Sequence, residues 1–225
     1  MINFHPDESM LTLHANGQLP LSLSIALSAH ADFCPQCRQM IESITVKASE
    51  QAMDDSNNAP SMPLNEDEQA LNDLLSNMLS ELDNMPEFQQ RSTEHQLISV
   101  KGEQYSLPSA FNQQSLSNWQ GIGKVSRARL DTGEPQARAS LLHIEAKGEI
   151  PQHTHKGTEL TLLLAGEFSD EFNTYGPGDF MLLNSEHEHS PKTMKGCLCY
   201  TVVDAPLYFT KGMSKLLNPI GELIY

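Results

Sequence analysis

The sequence of 225 residues has no apolar run long enough to cross a membrane, which takes about 18 or more consecutive apolar residues. Its first residues lack the basic start and the apolar middle of a secretory signal. Both absences predict a cytoplasmic protein. Cysteine is scarce as well, and the four cysteines form two close pairs, Cys34/Cys37 and Cys197/Cys199. Such pairs suit metal or thiol chemistry in a reducing compartment better than a disulfide framework.

Basic residues are also scarce, with 14 Lys and Arg against 29 Asp and Glu. Residues 1–100 carry three basic and fifteen acidic residues, which is a net charge of −12 out of −15 for the whole chain. An acidic surface repels nucleic acid and attracts basic proteins. The composition therefore predicts a basic protein partner and disfavours DNA binding, and acidity for solubility alone is the simpler alternative.

One short motif near the N-terminus combines a histidine with a cysteine pair, His30-x-x-x-Cys34-x-x-Cys37. This spacing lets one imidazole and two thiolates bind a single tetrahedral ion, and Cys-x-x-Cys is the commonest half of a structural zinc site. The apolar run before His30 predicts a helix that ends near it, and Pro35 suits the first turn of the next helix. Zinc would then fix a corner between two helices. The alternatives are a redox Cys-x-x-Cys, which normally follows a strand, and two reduced cysteines beside an unrelated histidine.

A closed zinc site needs a fourth ligand. The candidates are His5, His14 and a distant cysteine. His5 precedes a first short helix that Asp7-Glu8-Ser9 begins and Gly17 ends, and a ligand outside a helix can move to meet the corner. His14 lies inside that helix among apolar residues, where it also suits a half-buried core position.

The N-terminal region predicts two further helices joined by a flexible linker. The third helix runs from Cys34 to about Met53, and residues 54–65 have the composition of a loop. The segment from Glu66 to Asp83 is strongly amphipathic, with apolar residues at helical spacing: Leu71, Leu74, Leu75, Met78, Leu79 and Leu82. This fourth helix either packs on the other three or stands apart and closes over a partner.

After Pro86 the pattern changes to short alternating segments punctuated by Gly and Pro, which is typical of a β-sandwich or barrel. The predicted strands are Leu97–Val100, Gly121–Val125, Ala139–Ile144, Leu160–Leu164, Phe180–Leu183 and Cys199–Val203. Length and pattern together predict an α+β multidomain protein, with an all-α zinc-binding domain at residues 1–85 and an all-β domain at residues 86–225.

The β region contains a second set of metal-ligating residues, His153-Thr154-His155-x-x-x-Glu159, followed later by His187-Glu188-His189. His153 and His155 share one face of a strand because side chains two apart point the same way, and Glu159 can join them from a neighbouring turn. Two imidazoles and a carboxylate suit zinc, iron, manganese, nickel or copper. His187 and His189 have the same parity, so either can supply a fourth ligand, and exposed loop positions are the alternative for both.

Cys197 and Cys199 lie on one face of a predicted strand. In an extended strand their Cα atoms are about 6–7 Å apart, at or beyond the limit for a disulfide. Buried small side chains are the simpler interpretation, and a thiol sensor is the alternative.

Taken together, the two sets of residues resemble the ChrR-like zinc anti-sigma factors over nearly the whole chain. In that family an N-terminal zinc-binding anti-sigma domain is joined to a C-terminal cupin, which is a jelly-roll barrel. The stretch from His5 to Pro20 is similar to the family's opening. The resemblance implies that zinc is bound by four residues, His5, His30, Cys34 and Cys37.

The β region is similar to the two cupin motifs. Gly148 to Gly166 matches the first motif with one residue fewer before its first histidine, and the Gly178-Asp179 turn matches the second, with Asn184 where that motif usually has proline. The resemblance implies a cupin site for zinc or another divalent transition metal, with four ligands, His153, His155, Glu159 and His189.

The resemblance also implies an activity without catalytic residues. Members bind a sigma factor of the extracytoplasmic-function type and keep it from core RNA polymerase and promoter DNA, with no direct contact to nucleic acid or membrane. The N-terminal domain would suffice for inhibition, and the cupin would be needed for release in response to singlet oxygen or related oxidants. The alternatives are a metal-dependent cupin enzyme of dioxygenase or isomerase type, with a zinc-stabilised helical accessory domain, and an adaptor for another protein.

Overall fold

The computed structural model describes residues 2–57, 68–83 and 95–210. The chain divides into two compact units, one formed by residues 1–45 and 95–225 and the other by residues 46–94. Helices come first and strands follow, so the predicted order of an all-α region before an all-β region is confirmed.

Four helices open the chain: α1 (Glu8–Ala15), α2 (Leu21–Phe33), α3 (Pro35–Asn57) and α4 (Glu68–Asp83). Helix α1 begins as predicted, because the Asp7 side chain accepts a hydrogen bond from the Met10 backbone N–H at 2.8 Å. Helix α3 continues to Asn57, so the first four residues of the predicted linker at 54–65 are helical. The rest of that linker lies outside the described residues, as do the first two residues of the predicted helix from Glu66 to Asp83. The remainder of that segment is helical, as predicted.

Helix α2 is capped by a residue from the β region. It follows Pro20, which supplies no side-chain cap. The Glu134 carboxylate accepts hydrogen bonds from the Ser22 backbone N–H at 3.0 Å and from the Ser22 hydroxyl. A carboxylate at a helix N-terminus satisfies a free N–H group and interacts favourably with the helix dipole. This contact attaches the start of α2 to the β region.

The β region contains twelve short strands among the described residues: β1 (Leu97–Val100), β2 (Glu103–Ser106), β3 (Gln120–Ile122), β4 (Val125–Leu130), β5 (Arg138–Ile144), β6 (His153–His155), β7 (Glu159–Gly166), β8 (Phe168–Ser169), β9 (Thr174–Tyr175), β10 (Phe180–Leu183), β11 (Cys197–Val203) and β12 (Leu207–Phe209). Six of them form an antiparallel sheet in the order β10-β7-β11-β5-β4-β3. The remaining strands pair as β1 with β2, β6 with β12 and β8 with β9.

The predicted strand Gly121–Val125 is wrong, because a hairpin turn interrupts it. Ile122 pairs with Val125, so Gly123 and Lys124 form the two-residue connection between β3 and β4. Gly123 has φ +60°, a left-handed conformation that such turns require and that glycine adopts without strain.

The two faces of the six-stranded sheet contribute to different cores. Alternate residues such as Leu162 and Tyr200 pack in one core with Leu27 of α2 and Leu11 of α1. The residues between them form a second core on the other face, with Leu163, Met181, Cys197 and Cys199 among its members. Helices α1 and α2 therefore cover one face of the sheet, and the other face lines the interior of the β region.

Cys197 and Cys199 are buried free thiols in the second core, so the interpretation as buried small side chains is confirmed. The neighbouring Cys197 thiol and burial raise the pKa of Cys199 well above its usual value. Both effects keep that thiol protonated and unreactive.

Helix α4 belongs to the second compact unit. All of its side chains from residue 72 to residue 81 are exposed, including the predicted apolar positions Leu74, Leu75, Met78 and Leu79. Of the helices in the described part of the chain, none is both long and apolar enough to span a membrane.

Candidate metal centres

The first candidate centre brings together His5, His30, Cys34 and Cys37, whose ligand atoms all lie within 4.8 Å of one another. His30 occupies the last turn of α2, Cys34 follows that helix, and Cys37 lies in the first turn of α3. The two thiol sulphurs each lie 3.5 Å from Nδ1 of His5. The chain therefore places four donors at the corner between α2 and α3.

His14, the alternative fourth ligand, lies elsewhere. Its Nε2 is 3.5 Å from the hydroxyl of Ser28 on α2, and it is not part of the four-residue cluster. Cys197 and Cys199, the distant thiols, belong to the core of the β region. The structure thus brings His5 to the corner.

The tautomer of His30 leaves its Nε2 atom free to bind a cation. Its Nδ1 lies 2.7 Å from the Gly178 carbonyl, which can only accept, so Nδ1 carries the hydrogen and Nε2 carries a lone pair. Nε2 is buried and has no hydrogen-bond partner among the described residues. Burial also lowers the pKa of His30 and so favours the neutral ring.

The two thiols complete a donor set that fits zinc. Burial, together with the neighbouring Cys34 thiol, raises the pKa of Cys37 to about 12, so the thiol is protonated without a metal. A cation displaces that proton on binding. Two sulphurs and two imidazole nitrogens are the donors of tetrahedral structural zinc sites, and the unpartnered Nε2 of His30 fits the same ion.

The second candidate centre consists of His153, His155 and His189, whose ring nitrogens also lie within 4.8 Å of one another. His153 and His155 project from one face of β6, as predicted, and all three side chains are buried. His189 is brought alongside by backbone hydrogen bonds to His153, at 3.0 and 3.1 Å. His187 is only partly buried and its Nδ1 contacts the Asn184 side chain, so the structure distinguishes two histidines that the strand pattern left equivalent.

The three Nε2 atoms converge. His189 Nε2 lies 3.0 Å from His153 Nε2 and 3.4 Å from His155 Nε2. Burial lowers the pKa values of His153 and His155 to about 4, so these rings are neutral at pH 7. Two imidazole nitrogens this close repel each other when both carry lone pairs, unless a cation lies between them, and neutral imidazole is the form that binds a metal.

An acceptor oxygen lies close to Nδ1 of two of the rings, those of His153 and His189. The Pro151 carbonyl is 2.9 Å from Nδ1 of His153, and Asp170 Oδ2 is 3.3 Å from Nδ1 of His189. Both oxygens can only accept, so each Nδ1 carries the hydrogen and each Nε2 a lone pair. Outer oxygens of this kind orient metal-binding histidines and raise their basicity. The three-histidine cluster therefore fits a divalent transition metal.

Glu159, the fourth implied cupin ligand, lies beside this cluster and not among its converging atoms. Its Oε2 is 3.1 Å from Nδ1 of His155, at an angle poor for a hydrogen bond, and its Oε1 accepts from the Thr161 hydroxyl at 2.8 Å. In this conformation Glu159 contacts the rear of a histidine ring, in the manner of Asp170. Sequence reasoning missed Asp170, which lies nineteen positions before its histidine in the chain.

Comparisons with known proteins find similarity to ChrR. The profile of the ChrR cupin-like domain matches residues 111–206. The anti-sigma-E factor ChrR of Cereibacter sphaeroides is 29% identical over 225 residues, which cover 99% of this chain and 99% of that protein.

Two solved structures are similar to different extents. A chain in the crystal structure of Rhodobacter sphaeroides SigE in complex with the anti-sigma ChrR matches with a TM-score of 0.65 and 26% identity, over 91% of this chain and 100% of that one. An RmlC-like cupin protein of Ralstonia eutropha JMP134 matches with a TM-score of 0.38 and 16% identity, over 44% of this chain and 69% of that one. The predicted fold class, helices followed by an all-β cupin, is confirmed. The chain is therefore similar to ChrR over nearly its whole length, and its residues 111–206 match the ChrR cupin-like domain.

Proposed function

We propose that this chain is an anti-sigma factor that binds a sigma factor of the extracytoplasmic-function type and keeps it from RNA polymerase. The observation that carries the proposal is the similarity to ChrR over 99% of both chains, together with the match to the SigE complex over 91% of this chain. The net charge of −12 over residues 1–100 supports it, because a sigma factor has basic DNA-binding surfaces to hide. The same proposal places the chain in the cytoplasm.

Zinc in the first centre has a structural role in this proposal. His5, His30, Cys34 and Cys37 would hold it with four protein donors, which leaves no position for a substrate. It keeps α2 and the start of α3 in the orientation that one part of the sigma factor recognises. We assign the helical domain to residues 1–85 and the cupin to residues 86–225.

Helix α4 is proposed to contact a second part of the sigma factor. Its exposed side chains Leu74, Leu75, Met78 and Leu79 form an apolar stripe on one face. Methionine and leucine faces suit adaptable protein grooves. The acidic residues of the same helix, such as Asp73 and Glu81, would meet basic groups at the rim of that contact.

The cupin is proposed to act as the sensor that releases the sigma factor under oxidants such as singlet oxygen. Its metal, zinc or another divalent transition metal, would be held by His153, His155 and His189, with Glu159 as the fourth ligand after a side-chain rotation. A change in this metal or its ligands would weaken the hold of the N-terminal region on the sigma factor.

Co-purification tests the anti-sigma proposal. The full chain, mixed with a sigma factor of the extracytoplasmic-function type, should form a stable complex and block transcription by the matching RNA polymerase. Leu75→Asp should weaken the complex at least about tenfold, since a buried leucine contributes about 1.5–3 kcal/mol. Asn77→Asp adds the same charge to the opposite face and should bind as the parent does. Absence of a complex would contradict the proposal.

One observation favours a second candidate function, a metal-dependent cupin enzyme. The three converging histidines leave coordination positions open, as catalytic metal sites do. Oxygen uptake with a small organic substrate, lost in His153→Ala, would support this candidate. A metal-loaded protein that binds a sigma factor and consumes no oxygen would support the first.

A further inference from the structure

The N-terminal segment, residues 2–5, lies along the start of strand β10. The backbone N–H groups of Asn3 and Phe4 both donate to Asp179 Oδ1, at 2.7 and 3.1 Å. The Phe4 carbonyl accepts from the Phe180 N–H at 3.0 Å, and the Phe4 ring lies 5.0 Å from the ring of Tyr175. His5 follows directly, so docking of this segment sets its position.

The same turn of the cupin also holds His30. The Gly178 carbonyl accepts from His30 Nδ1 at 2.7 Å. Gly178 has φ +92°, and a Cβ at this position would lie 2.6 Å from Cδ1 of Ile2 and 2.8 Å from Cβ of Phe33. The N-terminal segment and the end of α2 therefore close on this glycine from two sides.

The cupin itself holds the Asp179 carboxylate by a contact that does not involve the N-terminal segment. Asp179 is only 2% exposed, and its Oδ2 accepts from the Gly176 N–H at 2.8 Å. Its backbone carbonyl accepts from the Leu163 N–H at 3.1 Å, which ties the turn to β7. A rigid acceptor of this kind orients a peptide at little cost in further ordering.

We infer that the Gly178-Asp179 turn of the cupin is part of the N-terminal metal centre, with Asp179 as the positioning residue for His5. The inference rests on the proposed structural metal in that centre. Docking of the N-terminal segment already restricts the backbone next to His5, so less conformational entropy is lost when His5 binds the ion. The Gly178 carbonyl fixes the ring orientation and the tautomer of His30. The cupin thus helps to orient two of the four metal-binding side chains, His5 and His30.

Cobalt binding by the full chain tests this inference. Cobalt bound to thiolate gives a charge-transfer absorption. This absorption therefore measures cobalt at the centre with Cys34 and Cys37, and cobalt at the three-histidine centre does not contribute to it. Asp179→Asn weakens the acceptor, and Asn3→Pro removes one donor without altering the cupin. In competition with a chelator, both variants should bind cobalt about tenfold or more weakly at the thiolate centre, the usual effect of losing an outer partner.

The matched control is Glu134→Gln. Like Asp179, Glu134 is a cupin carboxylate that accepts from a backbone N–H group of the N-terminal region. Its donor, Ser22, lies in the first turn of α2, at the opposite end of that helix from His30. This variant should keep the parental cobalt affinity. A second readout is amide hydrogen exchange, in which the Asn3 and Phe4 amides should become more protected when metal is added.

The outcomes are distinct. Parental affinity in both Asp179→Asn and Asn3→Pro would overturn the inference, and so would an equal loss in Glu134→Gln, because general loosening of the helices would then explain the effect. If Asp179→Asn fails to fold, Asn3→Pro decides alone. A parent chain without any thiolate absorption would instead overturn the proposed structural metal, and the inference with it.

Discussion

The two candidate metal centres of this chain differ in how their donors are assembled. The first takes two thiols and two imidazoles from three parts of the chain: the segment before α1, the end of α2 and the start of α3. The second takes three imidazoles from β6 and one later loop, with carboxylates behind two of the rings. The first centre therefore joins separate elements, whereas the second is built largely within one.

This difference suggests a structural role for the first centre and a reactive role for the second. Four protein donors complete a tetrahedral ion, so the first centre suits a metal that holds helices in place. Three converging imidazoles leave coordination positions open, so the second suits a metal that exchanges ligands or reacts. An experiment that distinguishes the two centres should find a structural effect at one and a chemical effect at the other.

The largest effect is expected from removing a thiolate of the first centre. Cys37→Ala leaves three donors and should lose the structural metal. A metal that binds only the folded state stabilises it by about 4 kcal/mol at a free concentration about 1,000 times Kd, so the variant should lose about that much of its zinc-dependent free energy of unfolding. Denaturant titration with and without zinc measures the loss.

Cys199→Ala is the control for this change, because it removes a buried thiol that lies outside both centres. It should keep the zinc-dependent stabilisation even if a small cavity lowers its overall stability. Equal zinc dependence in Cys37→Ala and the parent would show that the first centre holds no structural ion.

The second effect concerns the cupin. His189→Ala leaves two imidazoles, so the variant should bind one equivalent of metal fewer than the parent and keep its thiolate–cobalt absorption. His187→Ala removes a partly buried histidine two positions away that lies outside the cluster, and this variant should bind as much metal as the parent. Metal analysis after gel filtration measures both. Loss of the thiolate signal in His189→Ala would mean that the centres are not separate.

Local sequence patterns predicted the donors that lie close together in the chain, whereas His5 and His189 were singled out by the resemblance to a family. His153 and His155 lie two apart on a strand, and Cys34 and Cys37 lie three apart across the start of a helix, so local geometry alone brings each pair together. The choice between His5 and His14 depends on a contact between Phe4 and Asp179, which are 175 positions apart. No local pattern encodes such a contact.

Asp170 and the β3–β4 hairpin show the same limit in different ways. Asp170 contacts His189 from another loop. A carboxylate that contacts a metal ligand from a distant loop does not produce a regular spacing in the sequence. In the hairpin, the apolar and small residues around Gly123 continue the alternation of a strand, and only the left-handed backbone at Gly123 interrupts it. The helix and strand types were predictable, whereas the contacts that complete the metal centres were not.

A smaller effect is expected from the carboxylate behind His189. Asp170→Asn should lower the metal affinity of the three-histidine centre about tenfold or more, because the outer carboxylate orients the ring and raises its basicity. Glu171→Gln is the matched control, since Glu171 is the next carboxylate along the chain and accepts from Ser190. Chelator competition at the cupin site compares the two. Equal affinities would indicate that His189 needs no outer partner.

The smallest effect tests whether the two centres are independent. Tyr175 lies between them: its hydroxyl is 3.4 and 3.3 Å from the two Asp170 oxygens, and its ring is 5.0 Å from that of Phe4. Burial raises the pKa of Tyr175 to about 12, so the hydroxyl stays protonated and donates at neutral pH. Any movement of His189 and Asp170 on metal binding would therefore reach the segment that positions His5.

We expect filling of the three-histidine centre to change the cobalt affinity of the thiolate centre about fivefold, the lower end of usual coupling factors, and Tyr175→Phe to remove most of that change. Tyr200→Phe is the control, because its hydroxyl donates to the Ser22 carbonyl and links the cupin to α2 away from both centres. Thiolate–cobalt titrations with the cupin site filled and empty measure the coupling. A fivefold change that survives in Tyr175→Phe would assign the coupling to another route, and no change in the parent would make the two centres independent.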